Sequence, residues 1–179
     1  MDKTVELSDD RPSTWFHGHD YIISPGMRLL DLACGTGRHS VAAALRGADV
    51  VGIDKDEKKL LAASQRAGRH NVNVTLVPGD LETIEIPGGF DVVILFNYLD
   101  RNRFPVFLDA VKPGGWFLGE TYLRNQVDFG WGPKHPDHLL EPGELLKLIR
   151  PLGLVFGREV TEVIDNRNAA RASVLARRD

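Results

Sequence analysis

Short unbroken apolar runs alternate along this chain with stretches of helical spacing. Leu29 to Ala33 is the first such run, entered from the turn Ser24-Pro25-Gly26. Continuous apolarity between turn signals is the mark of a strand covered on both faces. Arg38 to Leu45, rich in alanine and leucine, predicts a helix capped by Thr36 and stopped by Gly47 in the left-handed conformation. Val50 to Ile53 predicts a second buried strand ending at Asp54, and the helix after it carries Leu60, Ala63 and Ala67 on one side before Gly68 ends it. Val72 to Val77 reads as a third strand, closed by Pro78-Gly79-Asp80; Asp91 to Phe96 reads as a fourth, at the sheet centre. Phe104, Phe107, Leu108 and Val111 fall on one helical face, which Lys112-Pro113-Gly114-Gly115 closes before a fifth strand, Trp116 to Thr121.

The pattern then changes. Leu123 to His138 mixes glycine, proline, tryptophan and two histidines without a period, which predicts a long functional loop able to act as a lid. A last helix begins in Glu141 to Ile149. Leu154 to Val163 and Ala172 to Arg177 close the chain as two strands, antiparallel because no helix separates them. Strands alternating with helices predict an α/β fold, doubly wound around a mostly parallel sheet.

At 179 residues and 42% hydrophobic, the chain buries one substantial core, so a single domain over 1–179 is expected, with 1–27 as an N-terminal segment and 123–139 as the lid loop. A formal charge of -3 and a pI near 6.1 give no basic footprint for nucleic acid or an anionic membrane, and a small-molecule acceptor fits better. One cysteine, a polar start from Met1 to Asp10 and apolar runs far short of the roughly 20 residues of a membrane helix point to a cytoplasmic protein. Phe104 and Phe107 suit either the core or a dimer contact, so a monomer or homodimer is expected.

The chemistry concentrates after the first strand. Gly35 and Gly37 lack side chains where backbone must approach a ligand, and the helix behind them presents unpaired N–H groups and a partial positive end. A dinucleotide site carries a third glycine where this chain has Ser40, which speaks against NAD. Asp31, ahead of the glycines, would repel a pyrophosphate and attract an ammonium or sulfonium; S-adenosylmethionine carries both cations. Burying that acid requires a cationic ligand or a local donor. Asp54 closes the second strand, where a carboxylate accepts two ribose hydroxyls, and Asp80 follows the third, within reach of an adenine amino group. Asp54 also suits a helix cap and Asp80 a turn. Three acids at the ends of three successive strands nonetheless face the crevice where open α/β sheets bind ligands.

These residues resemble the class I S-adenosylmethionine-dependent methyltransferases, the seven-stranded Rossmann-like family. The likeness rests on Leu30 to Gly37, on Val51-Gly52-Ile53-Asp54, on Gly79-Asp80-Leu81, on Phe90-Asp91-Val92-Val93 and on Leu108 through Gly115. Phe96 to Leu99, Phe129 through Pro136 and Leu140 to Leu145 look like a small bacterial group related to tellurite-resistance methyltransferases. Several of those relatives carry a histidine where this chain has Asp100, so that histidine's role is not carried over. The resemblance implies a strand order of 3-2-1-4-5-7-6 with strand 7 antiparallel and helices on both faces. It implies S-adenosylmethionine as cofactor, held by Asp31, Ala33, Cys34, Gly35, Thr36, Gly37, Arg38, His39, Asp54, Lys55, Asp80, Leu81, Phe96 and Asn97.

Methyl transfer from a sulfonium is an in-line displacement that needs positioning and exclusion of water, and no metal. No His/Cys/Asp cluster has zinc spacing. Tyr98 and Arg101 are the candidates for positioning the acceptor, although Tyr98 also suits packing under the lid and Arg101 a solvated helix start. Asn97-Tyr98 resembles an Asn-Pro-Pro-Tyr signature but lacks both prolines, so nucleobase or amide methylation is not inferred. His39, at a helix N-terminus, is expected to stay neutral, and Cys34 to be a small buried residue. A methyltransferase acting on a small molecule is the leading reading; a non-catalytic cofactor-binding module and a nicotinamide-dependent oxidoreductase are the alternatives.

Overall fold

The computed structural model describes residues 11–179, so the expectation placed on Met1 to Asp10 lies outside the described residues. The elements are α1 (Thr14–His19), β1 (Arg28–Leu32), α2 (Arg38–Leu45), β2 (Asp49–Asp54), α3 (Glu57–Arg69), β3 (Thr75–Pro78), β4 (Phe90–Phe96), α4 (Phe104–Asp109), β5 (Val111–Tyr122), α5 (Glu144–Leu148), β6 (Gly153–Ile164) and β7 (Arg167–Arg177). They form one seven-stranded sheet of order β3-β2-β1-β4-β5-β7-β6, the order the resemblance implies. β1 to β3 pair in parallel, as do β4 and β5, whereas β7 runs antiparallel to both β5 and β6. Among the described residues no helix is long and apolar enough to cross a membrane. Contacts divide the chain into two compact units, one ending at Glu85 and the other running Ile86–Asp179.

In the first unit, Leu29, Leu30 and Leu32 of β1 are fully buried, and α3 presents Leu60, Ala63 and Ala67 inward as expected. Asp56 caps α3 by accepting from the N–H groups of Lys58 and Lys59. Three local readings need correction. Thr36 does not cap α2; Gly37 holds that position with φ +78 and no side-chain bond. Gly68 lies inside α3, and Asn71, at φ +54, takes the left-handed turn instead. Val72 to Val74 do not join β3, because the Val72 N–H bonds to Ala67 O at the helix end and β2 lies opposite only from Thr75 to Pro78. Pro78 is tolerated because β3 is an edge strand. The short α1 has no counterpart in the apolar pattern; Ser13 caps it, its hydroxyl oxygen accepting the Phe16 N–H at 3.1 Å.

Gly37 is also a point of close packing against α3. A Cβ there would meet the Ala63 Cβ at 2.8 Å and its Cα at 3.2 Å, in a backbone conformation that side chains rarely adopt. Gly37→Ala is therefore expected to cost about 2 kcal/mol or more, because clash and left-handed strain add. A thermal melt that leaves the midpoint unchanged would contradict this.

In the second unit, Phe104, Phe107 and Leu108 are buried, and Phe104 lies 6.2 Å edge-on from Phe117. Val111 belongs to β5 and not to the helix before it. Phe90 pairs with Val111, and the register then jumps so that Val92 pairs with Trp116. Lys112 to Gly115 thus bulge out of the strand; Gly114 at φ +76 donates its N–H to Arg178 O at 2.8 Å. α5 starts only after Gly143, at φ +73, since Glu141 and Pro142 precede it. β6 and β7 close through Asp165 and Asn166, both left-handed, a two-residue hairpin whose twist suits the flanking strands.

The aperiodic 123–139 stretch has structure of its own. It contains short 3-10 turns at Arg124–Phe129 and Pro136–His138. Its ends are fastened by Leu123 N–H to Ala170 O at 3.0 Å, Arg124 N–H to Leu140 O at 2.9 Å and Leu140 N–H to Tyr122 O at 2.9 Å. Gln126, fully buried, accepts from Ala170 N–H at 2.9 Å and donates to Trp131 O at 3.0 Å. The periodicity is missing because side chain to backbone bonds organise the segment, and these carry no repeating hydrophobic signature.

Candidate functional site

β1 and β2 end side by side, with Asp31 opposite Gly52 and Leu32 opposite Ile53, so the chain leaves both strands at one edge of the sheet. After β1 the backbone turns through Ala33 at φ +55, Gly35 at φ +54 and Gly37 at φ +78. A Cβ added at Gly35 would project into open space, so that face of the turn is free for a ligand to approach. Asp54, 9% exposed, fixes the turn: Oδ2 accepts the Gly35 N–H at 2.8 Å and Oδ1 accepts the Asp56 N–H at 2.9 Å. Each carboxylate oxygen has a second lone pair, so two hydroxyls of a ribose can still be accepted. Gly79 donates its N–H to Asp54 O at 3.0 Å, which brings the end of β3 to the same place. Beside it Asp80 accepts the Glu82 N–H at 3.1 Å and faces the Lys55 ammonium at 3.5 Å, while Leu81 is buried.

Asp31 is buried, 1% exposed, and its partner is local: Ser40 donates its hydroxyl at 2.5 Å. The residue that replaces a dinucleotide site's third glycine is thus the donor that Asp31 required. Desolvation still dominates and raises the Asp31 carboxyl from 3.8 to about 7, opposed by Ser40 and Arg38 and reinforced by the charge of Asp54. Burial, with Asp31 and Asp54 nearby, pushes the Cys34 thiol far up, so it stays a protonated packing residue. Its sulfur sits against Gly52, where an added Cβ would approach it to 2.9 Å. His39 is buried against the Phe16 ring, 5.1 Å between centroids, and its Nε2 accepts the Ser13 N–H at 3.1 Å, as a neutral imidazole can. Arg38 donates to Arg11 O at 3.4 Å, so the segment before α1 is tied to the start of α2.

In the second unit, Phe96 is buried and ends β4, and Asn97 follows at φ +57, exposed, with its backbone N–H bonded to Glu120 O at 2.9 Å. Tyr98 is half-buried, edge-on to Phe107 at 6.2 Å. Asp100 accepts the N–H groups of Asn102 and Arg103, a turn built on its own side chain. Arg101 grips Glu144 through Nε at 2.6 Å and Nη2 at 3.0 Å, and donates to the carbonyls of Leu139 at 2.8 Å and Asp137 at 3.1 Å. Those bonds tie the loop after β4 to α5 and to the end of the 123–139 segment. His17, His135 and His138 are exposed.

Sequence reasoning missed a buried polar group on β5 and β7. Glu120 accepts from Ser173 Oγ at 2.8 Å and from Arg158 at 3.3 Å, while Arg171 reaches Asn97 and Tyr122. The available signal was Arg171 itself, a lone charge within the otherwise small and apolar Ala169 to Ala176 stretch.

Residues 29–115, which hold the glycine turn, Asp54, Asp80 and all of β4, match the family described as a methyltransferase domain. That match takes in 87 of the 179 residues. The chain is 33% identical over 143 residues to a ubiquinone biosynthesis O-methyltransferase of Leptothrix cholodnii, across 73% of this chain and 61% of that protein. The chain therefore spans about three fifths of the length of the curated relatives it matches. In fold, the chain is similar to TehB from Haemophilus influenzae, with a TM-score of 0.76 and 22% identity over 91% of this chain and 61% of that one. It is also similar to an S-adenosylmethionine dependent methyltransferase from Mesorhizobium loti, with a TM-score of 0.74 and 22% identity over 96% and 100% of the two chains.

Proposed function

We propose that this chain transfers a methyl group from S-adenosylmethionine to a small-molecule acceptor, and that residues 1–179 act as one domain with 123–139 as its cover. The observation that carries the reading is Asp54, which ties the glycine turn to the end of β2 and keeps free lone pairs beside it. Bound S-adenosylmethionine supplies an electrophilic methyl on a positively charged sulfur. For the chain's own residues the task is to hold and to exclude. Asp54 holds ribose hydroxyls, the bare face of Gly35 receives the backbone side of the ligand, and Asp80 with Leu81 borders the base. Asp31 supplies the negative potential that favours the methionine ammonium. In the second unit we assign Asn97 and Tyr98 to the acceptor, and Arg101, through Glu144 and the Asp137 and Leu139 carbonyls, holds the end of the 123–139 segment in place. The O-methyltransferase relatives support oxygen as the methylated atom.

The decisive experiment offers labelled S-adenosylmethionine with thiols, selenite or tellurite, amines, phenols and carboxylates in parallel, alongside calorimetry with S-adenosylhomocysteine. Transfer to at least one acceptor, with product inhibition by S-adenosylhomocysteine, is expected. If neither cofactor form binds below millimolar concentration, the reading is wrong; binding without transfer to any acceptor replaces it by a cofactor-binding module.

A further inference from the structure

Arg171 sits among buried apolar residues, with Ala169, Ala170, Ala172 and Val174 all at or below 1% exposure, and is itself only 5% exposed. Its Nη1 donates to the Asn97 side-chain oxygen and its Nη2 to the Tyr122 hydroxyl at 3.1 Å, and the guanidinium carbon lies 3.8 Å from the centre of the Tyr122 ring. Nε is buried with no hydrogen-bond partner. Each of these partners is neutral. The buried acid on the neighbouring strand pair, Glu120, is already taken by Ser173 at 2.8 Å and Arg158 at 3.3 Å. Arg158 also pairs with Glu162 at 3.1 Å. Among the described residues no carboxylate forms an ion pair with Arg171.

Removing a guanidinium from water and giving it only neutral partners is costly unless an anion completes the site. The partners also agree in polarity. Asn97 turns its amide oxygen to Arg171, so its NH2 group remains as a donor; the Tyr122 hydroxyl accepts from Arg171, so its own hydrogen is free to be given. With Nε–H and the second hydrogens of Nη1 and Nη2, the unused hydrogens of the cluster are all donors. Asn97 is exposed and Tyr122 half-buried, so a ligand meets the cluster from their side. The Asn97 amide and the Tyr122 hydroxyl, on the accessible side, offer two donors beside the guanidinium charge, which suits the two oxygens of a planar carboxylate.

We infer that Arg171, with Asn97 and Tyr122, forms an anion subsite for the methyl acceptor, whose molecules carry a carboxylate apart from the atom that is methylated. The word acceptor rests on the proposed methyl transfer; the anion subsite stands on the side chains alone. Trp131 reports on it, because its ring stands edge-on to Tyr122 with 6.0 Å between centroids.

The test titrates benzoate and its neutral isostere benzamide into the full chain, with and without S-adenosylhomocysteine, following heat and tryptophan emission. Benzoate is expected to bind about tenfold more tightly than benzamide, the difference one charge-assisted bidentate contact supplies. Arg171→Met should abolish that preference, and Arg171→Lys should retain part of it, with the affinity for S-adenosylhomocysteine unchanged in both. Should the methionine variant fail to fold, Arg171→Lys and Tyr122→Phe decide, each expected to weaken the preference several-fold. Equal binding of benzoate and benzamide to the wild type, or an undiminished preference in the variants, overturns the inference. Absence of S-adenosylhomocysteine binding would sink the methyl-transfer reading alone, because the benzoate comparison without it still decides the subsite.

Discussion

Asp54→Ala is expected to lower the affinity for S-adenosylmethionine and S-adenosylhomocysteine by about a hundredfold or more, read by calorimetry well below the melting temperature. The size follows from what the carboxylate does at once. It accepts the Gly35 N–H at 2.8 Å and the Asp56 N–H at 2.9 Å, and both oxygens keep a lone pair for a ribose hydroxyl. Hydrogen bonds to a charged group contribute about 1.5–3 kcal/mol each, and every factor of ten in affinity corresponds to about 1.4 kcal/mol, so losing two ribose bonds alone reaches the expected effect. Freeing the Gly35 N–H then lets the turn relax away from its binding shape. Asp54→Asn keeps one acceptor oxygen and should lose roughly tenfold, about one charged bond's worth. An alanine variant that binds within threefold of the wild type would place the cofactor elsewhere. Because the turn is fastened by the same carboxylate, the alanine variant should also melt earlier, and the asparagine variant separates the two effects.

The strand ends that shape this site were legible because buried parallel strands are continuous in apolarity and end where glycine or an acid must stand. Leu29 to Leu32, Val50 to Asp54 and Phe90 to Phe96 fall within a residue of where the pattern put them, and the order of the sheet followed from the resemblance. Boundaries set by competing hydrogen bonds were not legible. Val72 looks like strand in sequence, yet its N–H is drawn to a helix carbonyl; Val111 has helical spacing, yet pairs with Phe90. Thr36 was a reasonable cap by residue type, but the left-handed Gly37 occupies the position. The places of Asp31 in β1 and Asp54 at the end of β2 could be read from spacing alone. Ser40 was noticed for what it lacked as a non-glycine, and its positive role as the Asp31 donor depends on helix geometry that brings residues nine apart together. Arg171 pairs with Asn97 across 74 residues, a relation no local pattern encodes.

That helix geometry has a measurable consequence at Asp31. Burial raises its carboxyl from 3.8 to about 7, more than the Ser40 hydroxyl bond and the Arg38 charge draw it back, and Asp54 adds to the rise. The folded chain therefore holds a proton on Asp31 that the unfolded chain releases near pH 4. Stability from this group is full below the unfolded value, falls as pH rises, and is lost once pH passes about 7. The ceiling is roughly 4 kcal/mol, since each tenfold change in an acid's dissociation constant corresponds to about 1.4 kcal/mol. Chemical denaturation between pH 4.5 and 8 should show the ligand-free wild type losing stability relative to Asp31→Asn, which stays uncharged throughout, by up to about 1.4 kcal/mol per pH unit. S-adenosylmethionine should act in the opposite sense. Its cationic groups favour the ionised carboxylate, so binding releases the proton and affinity rises with pH up to about 7, where the carboxylate is already charged. In Asp31→Asn that dependence should flatten and the affinity at pH 8 should fall about tenfold, as expected for loss of one nearby opposite charge. Parallel pH profiles for the wild type and Asp31→Asn, in stability and in binding, would mean that Asp31 stays in one charge state throughout and does not sense the cofactor.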